Sequence, residues 1–186
     1  MPAKKRNQHT NILDQVTPEQ AISVLRDLWI TCPDVRVKIE AGIKGLLKSV
    51  DCNEVAAEVE SNLHSLDEEE LYDRSGPSRT GYHDSGEMAG IMIGEILAPY
   101  QDQSKRYSKM GMEEEAKEYC KGILKGLYEY ERNSSGPFSE CAQDAPVEMF
   151  AWIVDEWKKN NRKPAQHAEM KKFIDKECSD WSKYIK

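Results

Sequence analysis

Apolar residues return every three or four positions along most of this chain, the spacing of amphipathic helices. Ile22, Leu25, Leu28 and Trp29 follow Thr17-Pro18-Glu19-Gln20. Thr17 is placed to be an N-cap, Pro18 takes the first helical position, and Gln20 completes a capping box. Thr31-Cys32-Pro33-Asp34 ends that helix and opens a second, carried by Val35, Ile39, Ile43, Leu46 and Leu47. Asp51-Cys52-Asn53-Glu54 reads as the next cap and capping box, and Val55, Ala56, Val59, Leu63 and Leu66 line a third helix.

Residues 74–84, with two glycines and a proline, predict a loop. Asp84 or Ser85 caps the helix after it. Met88, Ile91, Met92, Ile93, Ile96 and Leu97 make that helix apolar on most sides, which predicts burial, with a bend at Pro99 and an end at Gly111. From 112 to 132, Ala116, Tyr119, Cys120, Ile123, Leu124 and Leu127 form one stripe. Glu114, Lys117, Glu118, Lys121 and Lys125 fall away from it. A second loop is predicted over 133–144. A helix from Ala145-Pro146 carries Met149, Phe150, Ile153, Val154 and Trp157. After a linker at 160–163, a last helix from about Pro164 sets Met170, Phe173, Ile174, Cys178, Trp181 and Ile185 on one side.

No strand alternation is sustained. The prediction is an all-α fold of about seven or eight helices, stacked as antiparallel pairs in a short α-solenoid or helical bundle. Residues 1–16 read as a flexible basic tail and 17–186 as a single α-helical domain, within the usual size of one.

Two segments share an order of features. Leu71-Tyr72-Asp73 precedes Ser75-Gly76-Pro77 and a helix from Glu87-Met88; Leu127-Tyr128-Glu129 precedes Ser135-Gly136-Pro137 and a helix from Glu148-Met149. The order suggests a weak internal repeat of helix pairs. Gly86, Gly90 and Gly94 share one helix face, as do Gly122 and Gly126. Each interior glycine costs a helix about 1 kcal/mol relative to alanine. Such stripes imply close approach, by a packed helix in the first instance and otherwise by a ligand or partner backbone.

The 186 residues carry 33 acidic and 26 basic side chains, for a net charge of −7. That balance disfavours nucleic-acid binding by the chain as a whole. Lys4, Lys5 and Arg6 make the start basic, and residues 157–186 hold nine Lys or Arg against four Asp or Glu. An accessory nucleic-acid contact would use these ends. No apolar run is long enough to cross a membrane, and no secretory leader is read at the start. Cys32, Cys52, Cys120, Cys141 and Cys178 are odd in number and irregular in spacing, without a CxxC pair. Reduced thiols in a cytoplasmic protein are expected, with no zinc site and no disulfide framework.

The sequence names no catalytic residue and implies no cofactor. Its most distinctive polar segment places Arg74, Arg79, Tyr82 and His83 before a helix N-terminus, where phosphate or an acidic peptide could be held. The alternative is a loop pinned by ion pairs to Glu68, Glu69, Glu70 or Asp73. His83-Asp84, with His64 as a further ligand, invites comparison with metal-dependent hydrolases, but four histidines in all give a poor ligand set.

Leu71-Tyr72-Asp73-Arg74-Ser75-Gly76, Gly81-Tyr82 and the run Gly111-Met112-Glu113-Glu114-Glu115-Ala116-Lys117-Glu118-Tyr119-Cys120-Lys121-Gly122-Ile123 make residues 53–159 resemble the helical region that follows the zinc finger in prokaryotic SWIM-type proteins. The Gly-x-x-Glu-Glu-Ala portion is also similar to tetratricopeptide-like repeats. The closely spaced Cys and His ligands of a SWIM finger are absent. The resemblance implies a helical interaction module and no zinc. The expected function is therefore non-catalytic: binding a protein partner or a second copy through the 74–84 loop and exposed aromatics of the last two helices. The alternatives are a ligand-binding protein or hydrolase with its site at that loop, and a nucleic-acid accessory protein.

Overall fold

A computed structural model describes residues 12–78, 81–142 and 144–185. Lys4, Lys5, Arg6, His9 and Arg79 lie outside the described residues. By its internal contacts the chain divides into two units, residues 1–48 and 49–186.

In the first unit, Ile12–Gln15 forms a short 3-10 turn, and residues 1–11 of the expected tail lie outside the described residues. Helix α1 (Pro18–Thr31) starts on the anticipated capping box. Gln20 N donates to Thr17 Oγ1 at 3.3 Å, and Thr17 N donates to Gln20 Oε1 at 3.0 Å. Helix α2 (Pro33–Leu47) follows at once, with Pro33 at its first position. Arg36 reaches back over the turn. Its Nε and Nη2 donate to the Trp29 carbonyl at 3.1 and 3.0 Å, and its guanidinium lies 5.4 Å from the Trp29 ring centroid. Neither helix contains a buried residue. Ile22, Leu25, Trp29 and Ile43 all stand in solvent on this hairpin.

The second unit comprises α3 (Cys52–Leu63), α4 (Glu68–Arg74), β1 (Gly76–Ser78), β2 (Gly81–His83), α5 (Ser85–Lys109), α6 (Glu113–Asn133), α7 (Pro137–Ala142), α8 (Ala145–Asn160), α9 (Pro164–Glu177) and a closing 3-10 turn (Ser179–Tyr184). Eight α-helices of seven residues or more stand among the described residues, so the fold is all-α. Helix α6 is central: α3, α5, α8 and α9 all pack on it. A helix touched on so many sides makes this unit a bundle, because solenoid repeats meet only their neighbours.

The seat of α3 on α6 explains one glycine stripe. A Cβ on Gly122 would come within 2.6 Å of Val55 Cβ, and one on Gly126 within 2.5 Å of the Ala56 carbonyl oxygen. Val55, Val59 and Leu63 then meet Ile123, Leu124 and Leu127 in the core. On another side of α6, Trp181 meets Tyr128 and Phe150 edge-on, at centroid distances of 5.2 and 5.0 Å. Burying side chains of this size stabilises by about 1.5–3 kcal/mol each.

Several expectations need correction. Lys117, placed by periodicity on the solvent side, is buried at 3% exposure. Its ammonium donates to Glu114 at 2.5 Å and to Glu169 of α9. Ile91, expected inside an all-round apolar helix, is 43% exposed. Part of the 74–84 loop is a small antiparallel ladder pairing Gly76 with His83 and Pro77 with Tyr82. The two Ser-Gly-Pro segments share a positive φ at glycine, 92° at Gly76 and 118° at Gly136, and then diverge. The first enters a strand and the second enters α7, a helix inside the expected second loop.

Candidate functional site

The sequence singled out residues 74–84, and there the structure commits the charge internally. Arg74 closes α4, and its guanidinium grips Glu95 of α5 with both Nη atoms, at 2.8 and 2.7 Å. Glu70, one turn back on α4, accepts from it at 3.3 Å. This fork raises the Arg74 pKa and holds the Glu95 carboxyl below the ordinary carboxylate range. Tyr82, opposite Pro77 in the ladder, is exposed, and His83, opposite Gly76, is half-buried. Asp84 turns to the α5 terminus and accepts from Gly86 N at 2.9 Å. His64 lies apart from His83, edge-on to Tyr130 at 5.1 Å and 3.8 Å from Glu60. Among the described residues no three His, Cys, Asp or Glu side chains gather to hold a metal ion.

A larger feature lies along α5, α7 and α8. These helices enclose an open groove of about 1090 Å³. That exceeds the roughly 300–1,000 Å³ of most small-molecule sites. Its floor is formed by Gly90 and Gly94 of the second glycine stripe, whereas a Cβ on Gly86 would crowd the Cys141 carbonyl oxygen of α7 at 3.2 Å. A Cβ on Gly90 would meet only Ala145 Cβ, at 3.5 Å, and one on Gly94 only Met149 Cε, at 3.4 Å. Both are ordinary contacts, so here the missing side chains widen a surface, whereas at Gly122 and Gly126 they admit a helix. Ile91, Met149 and Trp152 supply apolar walls, and Trp152 stands 45% exposed.

Glu87, Glu140, Asp144 and Glu148 line the same groove. None of the four forms an ion pair with a lysine or arginine among the described residues. Acids elsewhere do so repeatedly, as in Lys121–Glu118, Lys159–Glu156 and Lys163–Glu113. Past Trp152 the groove gives way to a recess of about 430 Å³, where Lys105 and Lys109 stand with Glu156, whose carboxylate is paired with Lys159. The surface is thus acidic beside the glycines and carries lysines beyond the indole.

The C-terminal basic segment is partly neutralised. Lys159, Lys163 and Lys176 pair with Glu156, Glu113 and Glu177. All five cysteines are free thiols. Burial pushes Cys120 and Cys178 up to about 12, well away from reactive thiolates. No helix is long and apolar enough to cross a membrane, among the described residues.

Of the groove, the glycine spacing was visible in the sequence, and its association with Ile91, Trp152 and the four acids was not. No protein-family model, curated protein or solved structure matches the chain significantly.

Proposed function

We propose that this chain is a non-catalytic helical protein-interaction module, and that the α5–α7–α8 groove is its contact surface. The observation that carries the reading is the exposure of Trp152 and Ile91 over a floor of glycine and alanine. A large exposed indole beside a bare helix face is the composition of an interface anchor. The resemblance of residues 53–159 to helical interaction regions points the same way. The commitment of Arg74 to Glu95 leaves the phosphate-binding reading with less to recommend it. The five free thiols fit a cytoplasmic setting.

The test is a comparative capture from extract of the source cells, with and without nuclease. Wild type is compared with Trp152→Ala and Ile91→Ser, both first checked for native circular dichroism and melting temperature. A stoichiometric protein that survives nuclease and is lost from both variants supports the reading. Retention of every partner by both folded variants removes the groove from consideration. Partners lost only to nuclease move the function to nucleic acid.

A further inference from the structure

We infer that the groove takes an amphipathic helix whose basic residues lie over its glycine-lined half, an inference that rests on the groove being the contact surface.

The shape argues for a helix. From Gly86 to Gln101 the lining of α5 runs about 22 Å, or roughly four helical turns. The wall across from it is α8, so the groove is a seam between helices, the setting in which an amphipathic helix lays an apolar face. Gly90, Gly94 and Ala145 keep the floor low enough for a third backbone to approach. Ile91, Met149 and Trp152 provide apolar contacts for residues spaced three and four apart.

The charge argues for the partner's sign. Glu87 stands on α5, Glu140 on α7, Glu148 on α8, and Asp144 directly before α8. They come from three elements and converge on one groove, and no cation of the described residues pairs with them. Asp144 is the N-cap of α8 yet its side chain makes no cap hydrogen bond. Its carboxylate is therefore not spent on its own helix. An apolar partner without cations would leave four carboxylates partly desolvated and unpaired, at a cost in affinity. A partner with Lys or Arg flanking its apolar stripe would pair them. Beyond Trp152 the one acid of the recess, Glu156, is already paired with Lys159, which leaves Lys105 and Lys109 to repel a basic partner at that end. The cations therefore belong to one half of the bound helix, which also sets its direction.

The probe is a synthetic 18-residue helical peptide with leucines at three- and four-residue spacing and lysines flanking them in one half. A matched peptide has glutamate at each lysine. Affinities are measured by titration calorimetry with the full chain at low salt. The lysine peptide is expected to bind at least tenfold more tightly than the glutamate peptide. The variant Glu87→Gln/Glu140→Gln/Asp144→Asn/Glu148→Gln is expected to lose at least tenfold for the lysine peptide. A control with as many neutralised acids off the groove, Glu54→Gln/Asp73→Asn/Asp102→Asn/Asp155→Asn, is expected to lose less than threefold.

Equal binding of the two peptides, or equal loss in the two variants, overturns the inference. If the glutamate peptide binds better and Trp152→Ala weakens it, the partner's charge is wrong and the groove stands. If binding ignores Trp152→Ala altogether, the groove reading falls as well. Concentration-dependent dimerisation abolished by Trp152→Ala assigns the groove to a second copy and overturns the inference too.

Discussion

The Cβ that Gly126 lacks would lie 2.5 Å from the carbonyl oxygen of Ala56. Helix α3 rests on α6 backbone to backbone at that point, and Val59 Cβ at 2.8 Å closes the other side. Gly126→Ala gains about 1 kcal/mol of helix propensity and meets a carbonyl that cannot yield without moving α3. Overpacking costs about 1–3 kcal/mol, and a clash with backbone belongs at the upper end. The expected net loss is about 2 kcal/mol, read from urea unfolding. Stability equal to or above wild type would show that α3 does not sit where described.

Gly90 repeats at the same four-residue spacing and predicts the opposite sign. Its added Cβ meets only Ala145 Cβ, at 3.5 Å. Gly90→Ala is therefore expected to stabilise by up to about 1 kcal/mol. The same methyl raises the floor of the groove, so partner affinity should fall while the melting temperature rises. A rise in both would mean that no backbone approaches there.

Spacing alone could not tell these glycines apart. Gly86, Gly90 and Gly94 repeat as Gly122 and Gly126 do, and the pattern announces close approach without naming what approaches. The capping box of Thr17 and Gln20 was legible because both partners lie within one turn. For Arg74 the sequence left a ligand site and a pinned arginine both open, and its main partner Glu95 lies 21 residues on, past the adjacent acids. Lys117 shows the limit of helical periodicity. One helical wheel describes one apolar face, and α6 is packed on several. The side that looks polar is where α9 brings Glu169, 52 residues away.

That buried ammonium makes stability depend on pH in a defined way. Burial disfavours the Lys117 charge, but the bonds to Glu114 and Glu169 outweigh it, so its pKa is raised above 10.5. Glu114 is held below 4.5, first by Lys117 and then by Gln166. The Glu114 contribution is present above pH 4.5 and is lost as pH falls through its lowered folded value. The Lys117 contribution is present below pH 10.5 and is lost as pH rises through its raised folded value. Glu114→Gln should flatten the acid limb of the stability profile. Glu114→Gln/Glu169→Gln, which strands a buried charge, should cost about 2–4 kcal/mol at neutral pH. Lys117→Met should cost less than about 1 kcal/mol, because both carboxylates are more than half exposed and keep their water. A larger loss for Lys117→Met than for the double variant would reverse this account.

The α1–α2 hairpin makes a separate prediction. It buries no residue, and isolated helices of about 12–15 residues are marginal in water. Its amides should exchange with solvent at least a hundredfold faster than the core amides of α6, except where Arg36 ties the turn to the Trp29 carbonyl. Arg36→Ala should remove that local exception. Protection across Pro18–Leu47 equal to that of α6 would show that the hairpin is covered in solution.

The seating of α3 on α6 also has a consequence for how the chain is made. Asn53 of α3 accepts from Lys125 of α6 at 2.8 Å, and the two are 72 residues apart in the chain. At synthesis rates of about 5–20 residues per second, α3 leaves the ribosome roughly 4–14 seconds before its seat exists. Through that interval Val55 and Val59 lack the α6 surface they pack on, and α5, which also touches α3, is the first native neighbour to arrive. The emerging chain thus offers a transient sticky segment to chaperones, one that disappears when the glycines of α6 arrive.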